Sequence, residues 1–306
     1  MATYAAKLRK TAVDNQSIIL NSFGEITAGS SLMPYSGRSY YVDKWNGDDG
    51  RTGLSWEQAF ATVQAAITAS NARIDWSYYP KSINTIYIAP GVYAEALTPP
   101  YDCRMIGLGI PGTDQCTEIH PAESAGSAIT GTALGLHLYN LRFECEDVLP
   151  VLDFGIVGST IIEDCEIMNG STYQATHGIS TETASHMTVK GCTFGSGSTN
   201  LTHGIYCAGG ANKYFHHCTV ENNQFHTGIG IYIASNCTGT QSVIRGNVFN
   251  VTTLGIDDDS DDVAIIDNRI ISAAVLASSY DINVAKAAGN VVTGSDNTLD
   301  VPIKAV

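Results

Sequence analysis

Along most of this chain, apolar and polar residues alternate in short runs broken by Gly, Asn, Ser and Asp. Alternation with a period of two marks β-strands, whose successive side chains point to opposite faces. The runs are rich in Val, Ile, Phe and Thr, which suit a pleated, half-buried surface. Helical spacing occurs clearly in one place. In Ser55–Ser70, SWEQAFATVQAAITAS, the residues Phe60, Val63 and Ile67 fall on one helical face. Ser55 followed by Gln58 offers a capping box, so a helix is expected over 56–70.

The strand pattern repeats. An x-Gly-Ile motif occurs at Phe154-Gly155-Ile156, His177-Gly178-Ile179, His203-Gly204-Ile205, Ile229-Gly230-Ile231 and Leu254-Gly255-Ile256. A second motif places Cys or Asn two residues before an apolar one. It ends at Ile167, Phe194, Val220, Phe249, Ile270 and Val292, and at Phe143 with Leu in the Cys/Asn slot. The two motifs alternate with a period of roughly 25 residues, a solenoid length. The leucine consensus of a leucine-rich repeat is missing. The pattern predicts an all-β fold, a right-handed parallel β-helix in which one coil cannot bury its own core and the stack is the folding unit. Residues 83–303 leave room for roughly nine coils, a rod on the order of 40 Å long. The whole of 39–306 reads as one domain, with 1–38 as an N-terminal arm serving as an anchor or subunit contact.

Stacking turns the repeat into ladders. Cys165, Cys192 and Cys218 are expected to share one slot, which Asn247, Asn268 and Asn290 occupy further on. Buried thiols pack as small hydrophobes, and stacked amides hydrogen-bond from coil to coil. The glycines of x-Gly-Ile are expected to face outward or to mark a bend with positive φ.

Composition narrows the partners. Net charge is −14, which disfavours nucleic acid, because phosphate binding needs a basic surface. No apolar run is long enough for a membrane-spanning helix, and the N-terminus lacks the apolar core of a secretory signal. Eight cysteines without a Cys-x-x-Cys pair do not form a zinc knuckle.

Segments Gly47–Ile67 (GDDGRTGLSWEQAFATVQAAI), Ile86–Leu97 (IYIAPGVYAEAL) and Met105–Gly109 (MIGLG) resemble the opening of pectin-lyase-like β-helix proteins. The resemblance spans roughly residues 40–300. It implies the β-helix fold and, as activities, polysaccharide lyases and hydrolases, phage tailspikes and other virion proteins. One scaffold carries many functions, so the residues must decide.

Three features could carry chemistry. The residue after each isoleucine gives the column Val157, Ser180, Tyr206, Tyr232 and Asp257. There Tyr206 and Tyr232 could hold a sugar ring or a neighbouring subunit. His177 and His203 stack one coil apart, in a slot otherwise held by Phe154, Ile229 and Leu254, and read as inward or corner residues. The run Asp257, Asp258, Asp259, Asp261 and Asp262 offers oxygen ligands suited to Ca²⁺, and Asp257 and Asp258 a weaker catalytic pair. A solvated acidic turn is the plainer reading of that run.

The expectation is a structural or receptor-binding protein of a phage-like particle, a β-helix spike or capsid decoration able to bind glycan. It would be a homotrimer, docked to other virion proteins through the 1–38 arm and requiring no cofactor except at most Ca²⁺. The alternative is a polysaccharide lyase or glycoside hydrolase acting on a surface or cell-wall polysaccharide, reaching the outside without a Sec signal.

Overall fold

The computed structural model describes residues 37–73, 83–110, 112–123, 125–170, 174–195, 201–210, 212–234, 237–258 and 263–272. It also describes short strands at 19–20, 26–27, 282–283, 287–288 and 291–294. Apart from an antiparallel pair, Ile19–Leu20 with Ile26–Thr27, the 1–36 part of the proposed arm lies outside the described residues.

The chain winds as a parallel β-helix. A ten-stranded parallel sheet, face I, runs from Ser39–Val42 to Ala287–Ala288. Faces II and III merge into one 16-stranded sheet. A representative coil takes Ile161–Glu163 on face I, Glu166–Asn169 on face II and His177–Ser185 on face III, then returns to face I at Thr188–Lys190. Among the described residues, about seven coils carry strands on all three faces, against the roughly nine expected. The first coil meets face III only through an isolated bridge, Leu97 to Ile129.

The inward positions stack in register. On face I, Met105, Leu138, Ile162, Val189, Val220, Ile244 and Ile265 form one column. On face II, Phe143, Ile167, Phe194, Phe225, Phe249 and Ile270 form another. Its phenylalanine rings lie nearly parallel, with centroids 4.6 Å (Phe194–Phe225) and 4.7 Å (Phe225–Phe249) apart. Such pairs add about 0.5–1.5 kcal/mol beyond their buried area.

This column explains the glycines. A Cβ on Gly178, Gly204, Gly230 or Gly255 would strike the side chain of Phe194, Phe225, Phe249 or Ile270. The glycines therefore face the core beside the ring stack, not outward, and their φ is not positive. Gly155 is different: a Cβ there would meet nothing within 4 Å. The register shows why. Leu152, not Ile156, pairs with Ile179, and the strand slips between Phe154 and Val157. Val157 is 1% exposed and Ile156 is 49% exposed, so the first x-Gly-Ile repeat is out of phase with the others. Asp153, not Val157, stands in the outward column with Ser180.

Each coil turns twice through a residue of positive φ. The turn from face I to face II uses Asn140, Asp164, Gly191, Asn222, Gly246 and Asp267; the turn from face III to face I uses Ser159, His186, His217 and Gln241. Gly, and to a lesser degree Asn and Asp, take this conformation most readily. A buried residue, most often small or polar, follows each turn. The first turn gives the column Cys165, Cys192, Asn223, Asn247, Asn268, and the second gives Thr160, Met187, Cys218, Ser242. Cys218 thus belongs to the other corner, where its N–H donates to Ser242 Oγ at 3.0 Å. The two corners share one local pattern, which is why their sequences look alike. In the first corner Asn223 and Asn247 each donate through backbone N–H and Nδ2 to the next asparagine's Oδ1, at 2.9–3.0 Å. Each Nδ2, that of Asn268 included, also donates to a core-strand carbonyl: Val189, Val220 and Ile244. The ladder therefore runs Asn223–Asn247–Asn268. Asn290 lies outside the described residues.

The N-terminal cap is shorter than expected. Trp56–Gln58 is a 3₁₀ turn, and helix α1 spans Val63–Asn71. Ser55 makes no side-chain capping bond, whereas Thr62 Oγ1 accepts from Ala65 N–H. Phe60 is drawn instead into a bridge with Val42. The carboxylate of Glu95, from the loop beyond face II, accepts from the N–H groups of Val63 and Gln64 at 2.9 Å each. α1 buries Val63, Ala66, Ile67 and Ser70 over the first coil. The carboxylate at its N-terminus also complements the helix dipole.

Candidate functional site

Two clusters stand out on the outer surface. The first is an aromatic strip on face III. In sequence register, Asp153, Ser180, Tyr206, Tyr232 and Asp257 follow one another from coil to coil. The rings of Tyr206 and Tyr232 stack at 5.2 Å with a 10° tilt. His177 lies on Tyr206 at 4.2 Å and 3°. His203 sits edge-on to both tyrosines and holds His177 through an Nδ1–Nδ1 contact of 3.1 Å. Alternation alone would put the histidines on the isoleucine side. Gly178 and Ile179 are both buried, so the alternation breaks at the glycine. The histidine before it comes round to the tyrosine side.

Burial, and then His203, push His177 down to about 4, and burial also lowers His203. The pair is neutral at neutral pH and can share one proton across the Nδ1–Nδ1 contact. Polar groups border the strip. Asp153 is raised by burial and by Glu182, with Ser180 donating to it. Glu182 is paired with Lys213.

Asp257 and Asp258 part company. Asp257 continues the tyrosine column, whereas Asp258 pairs with Ile233 and is 3% exposed. The two point to opposite sides of one strand and do not face a common ion. Asp259, Asp261 and Asp262 lie outside the described residues.

The second cluster is on face II, and the sequence reading missed it. Glu118, Arg142 and Glu166 occupy one outward column. His120 and Glu144 stand two residues along on neighbouring coils. His120 Nδ1 lies 3.0 Å from Glu118 Oε1, and Arg142 Nη2 lies 3.0 Å from Glu144 Oε2. Arg142 Nε is 3.6 Å from Glu118 Oε2, and His120 Nε2 is 3.9 Å from Glu146 Oε1. The side chains of Glu118, Glu144 and Glu146 are only 10%, 12% and 14% exposed. Burial raises Glu144, with His120 and Arg142 opposing and Glu118 reinforcing. Its signal was present in the chain. Thr117-Glu118-Ile119-His120 and Arg142-Phe143-Glu144-Cys145-Glu146 each put charge on every second residue, 24 residues apart.

All eight cysteines are buried and free. Among the described residues, no helix is long and apolar enough to cross a membrane.

Comparison with known proteins agrees with the fold. Residues 153–302 match the family model described as a right handed beta helix region. No curated protein matches the chain. Among solved structures, the crystal structure of Escherichia coli YbhC aligns over 90% of this chain and 77% of its own, at 14% identity and a TM-score of 0.37. The matched region, the parallel registers and the stacked core columns together show that this chain has the fold of a right-handed parallel β-helix.

Proposed function

We propose that this protein is a glycan-binding β-helix, acting as a receptor-binding or decoration protein of a phage-like particle. The observation that carries the reading is the strip of His177, His203, Tyr206 and Tyr232. Because the rings stack on one another, they present a row of edges already held in place, so little side-chain entropy is lost when a sugar docks. Phenol and imidazole edges, with Asp153, Ser180 and Asp257 along the same column, supply hydrogen-bond partners for hydroxyls. The strip repeats at the strand spacing of about 4.8 Å, close to the length of one sugar unit, which suits an extended chain over a compact ligand.

Binding is favoured over cleavage on this face. Asp153 and Asp257, the acids of the column, are four rungs apart, about 19 Å at the strand spacing. A glycosidase pair stands within roughly 10 Å. The virion setting rests on the resemblance of the opening motifs, and a homotrimer with its arm on other virion proteins is part of the same proposal.

A glycan array probed with the wild-type protein and with Tyr206→Ala/Tyr232→Ala tests this. Binding to a polysaccharide that the double variant loses, with unchanged melting, supports the reading. An array without binding by either protein overturns it.

A further inference from the structure

We propose that Glu118, His120 and Glu144 form a binding site for a divalent transition-metal ion, of the zinc or manganese kind. One carboxylate oxygen from each glutamate and one imidazole nitrogen all lie within 4.8 Å of one another. Successive coils of the solenoid supply them, so the rigid sheet presets their spacing. This site is on face II and independent of the aromatic strip.

The donor set selects the ion. Imidazole nitrogen with carboxylate oxygen suits zinc and the neighbouring first-row metals. Calcium takes six to eight oxygens and has no use for the nitrogen. Glu118 Oε1 and His120 Nδ1 are 3.0 Å apart, about the separation of two ligands at right angles around an ion with bonds near 2.1 Å. Arg142 engages the Oε2 atoms of both glutamates, which leaves Oε1 of each for the ion. Groups of this kind hold a coordinating carboxylate in orientation.

Charge and unpartnered atoms point the same way. Glu118, Glu144 and Glu146 are nearly buried, with Glu166 in register beside them. Arg142 and His120 are the bases among them. Arg142 Nε and Glu166 Oε2 are buried without a hydrogen-bond partner. An excess of buried carboxylate is costly unless a cation or protons offset it. A divalent ion offsets two charges at once.

Titration calorimetry on chelator-stripped protein, with Zn²⁺, Mn²⁺ and Ca²⁺ in turn, reads this out. One equivalent of Zn²⁺ or Mn²⁺ should bind, with Ca²⁺ at least tenfold weaker. His120→Ala and Glu144→Gln should each weaken binding at least tenfold while keeping cooperative melting. His217→Ala, which alters the stacked His186–His217 pair, should leave it unchanged. Should Glu144→Gln fail to fold, His120→Ala alone decides, since that side chain is partly exposed. The proposal is overturned if no stoichiometric ion binds, if both variants bind as wild type, or if His217→Ala alone abolishes binding.

Discussion

Gly230 sits against the ring of Phe249: a Cβ built on the glycine would lie 2.2 Å from Phe249 Cδ1 and 2.4 Å from Gly255 O. Neither a backbone carbonyl nor a ring inside a close-packed ladder can yield by an ångström cheaply. Gly230→Ala should therefore destabilise by about 2–3 kcal/mol, as overpacking does. Gly155→Ala, with nothing within 4 Å, should be neutral or slightly stabilising. Denaturant melts of the two variants check the contrast. Equal effects would mean that the glycines serve the backbone and not the ring stack.

The asparagine ladder gives a second prediction. Asn247 Oδ1 accepts two bonds from Asn223, and Asn247 Nδ2 donates to Val220 O and Asn268 Oδ1. Asn247→Ala strands several buried groups at once and should cost about 2–4 kcal/mol. Asn247→Asp keeps the acceptor but loses the donor and buries a charge, so it should be worse above pH 5 than below it. Thermal melts at two pH values test this.

Cysteine reactivity follows from burial. Burial pushes Cys103 and Cys218 up to about 12, and burial, with Cys192 beside it, raises Cys165 as well. Thiolate is the reactive form. The native protein should react with a thiol reagent orders of magnitude more slowly than the unfolded chain. Fast labelling of several thiols in native buffer would contradict the packed corners.

The histidine pair makes stability depend on pH. Burial and His203 hold His177 at about 4, below its ordinary 6.5. Between these values the unfolded chain binds a proton that the folded chain refuses. Stability should therefore fall as pH drops from about 6.5 to about 4 and be unaffected by this group above that window. The loss should be smaller in His177→Gln, since the difference between the two proteins isolates the group from the carboxylates. Parallel pH profiles that never diverge would contradict the placement of His177.

The solenoid was legible because a stack repeats its constraints: the same inward column and the same turn chemistry recur every coil. What the repeat could not reveal was phase. The motif around Cys218 looks like those around Cys165 and Cys192, yet it marks the other corner, because any turn of positive φ before a small buried residue reads alike. Gly155 resembles Gly178 in sequence, but its motif stands four residues further along the strand, since Leu152 and not Ile156 pairs with Ile179. The tyrosine column was legible from spacing, and its histidine partners were misplaced because a core-facing glycine breaks the alternation. The Glu118–His120–Glu144 cluster was missed because its residues fall outside the two motifs that revealed the repeat.

The central claim is that face III holds a glycan through the Tyr206–Tyr232 stack. Its most direct test is calorimetry with the glycan identified by array, on wild type, Tyr206→Ala, Tyr232→Ala and the face I control Tyr139→Ala. Loss of one ring contact worth about 1.4 kcal/mol corresponds to tenfold weaker binding. Both face III variants should bind at least tenfold more weakly, with Tyr139→Ala matching wild type. Unchanged affinity in the face III variants, or equal loss in Tyr139→Ala, would contradict the account.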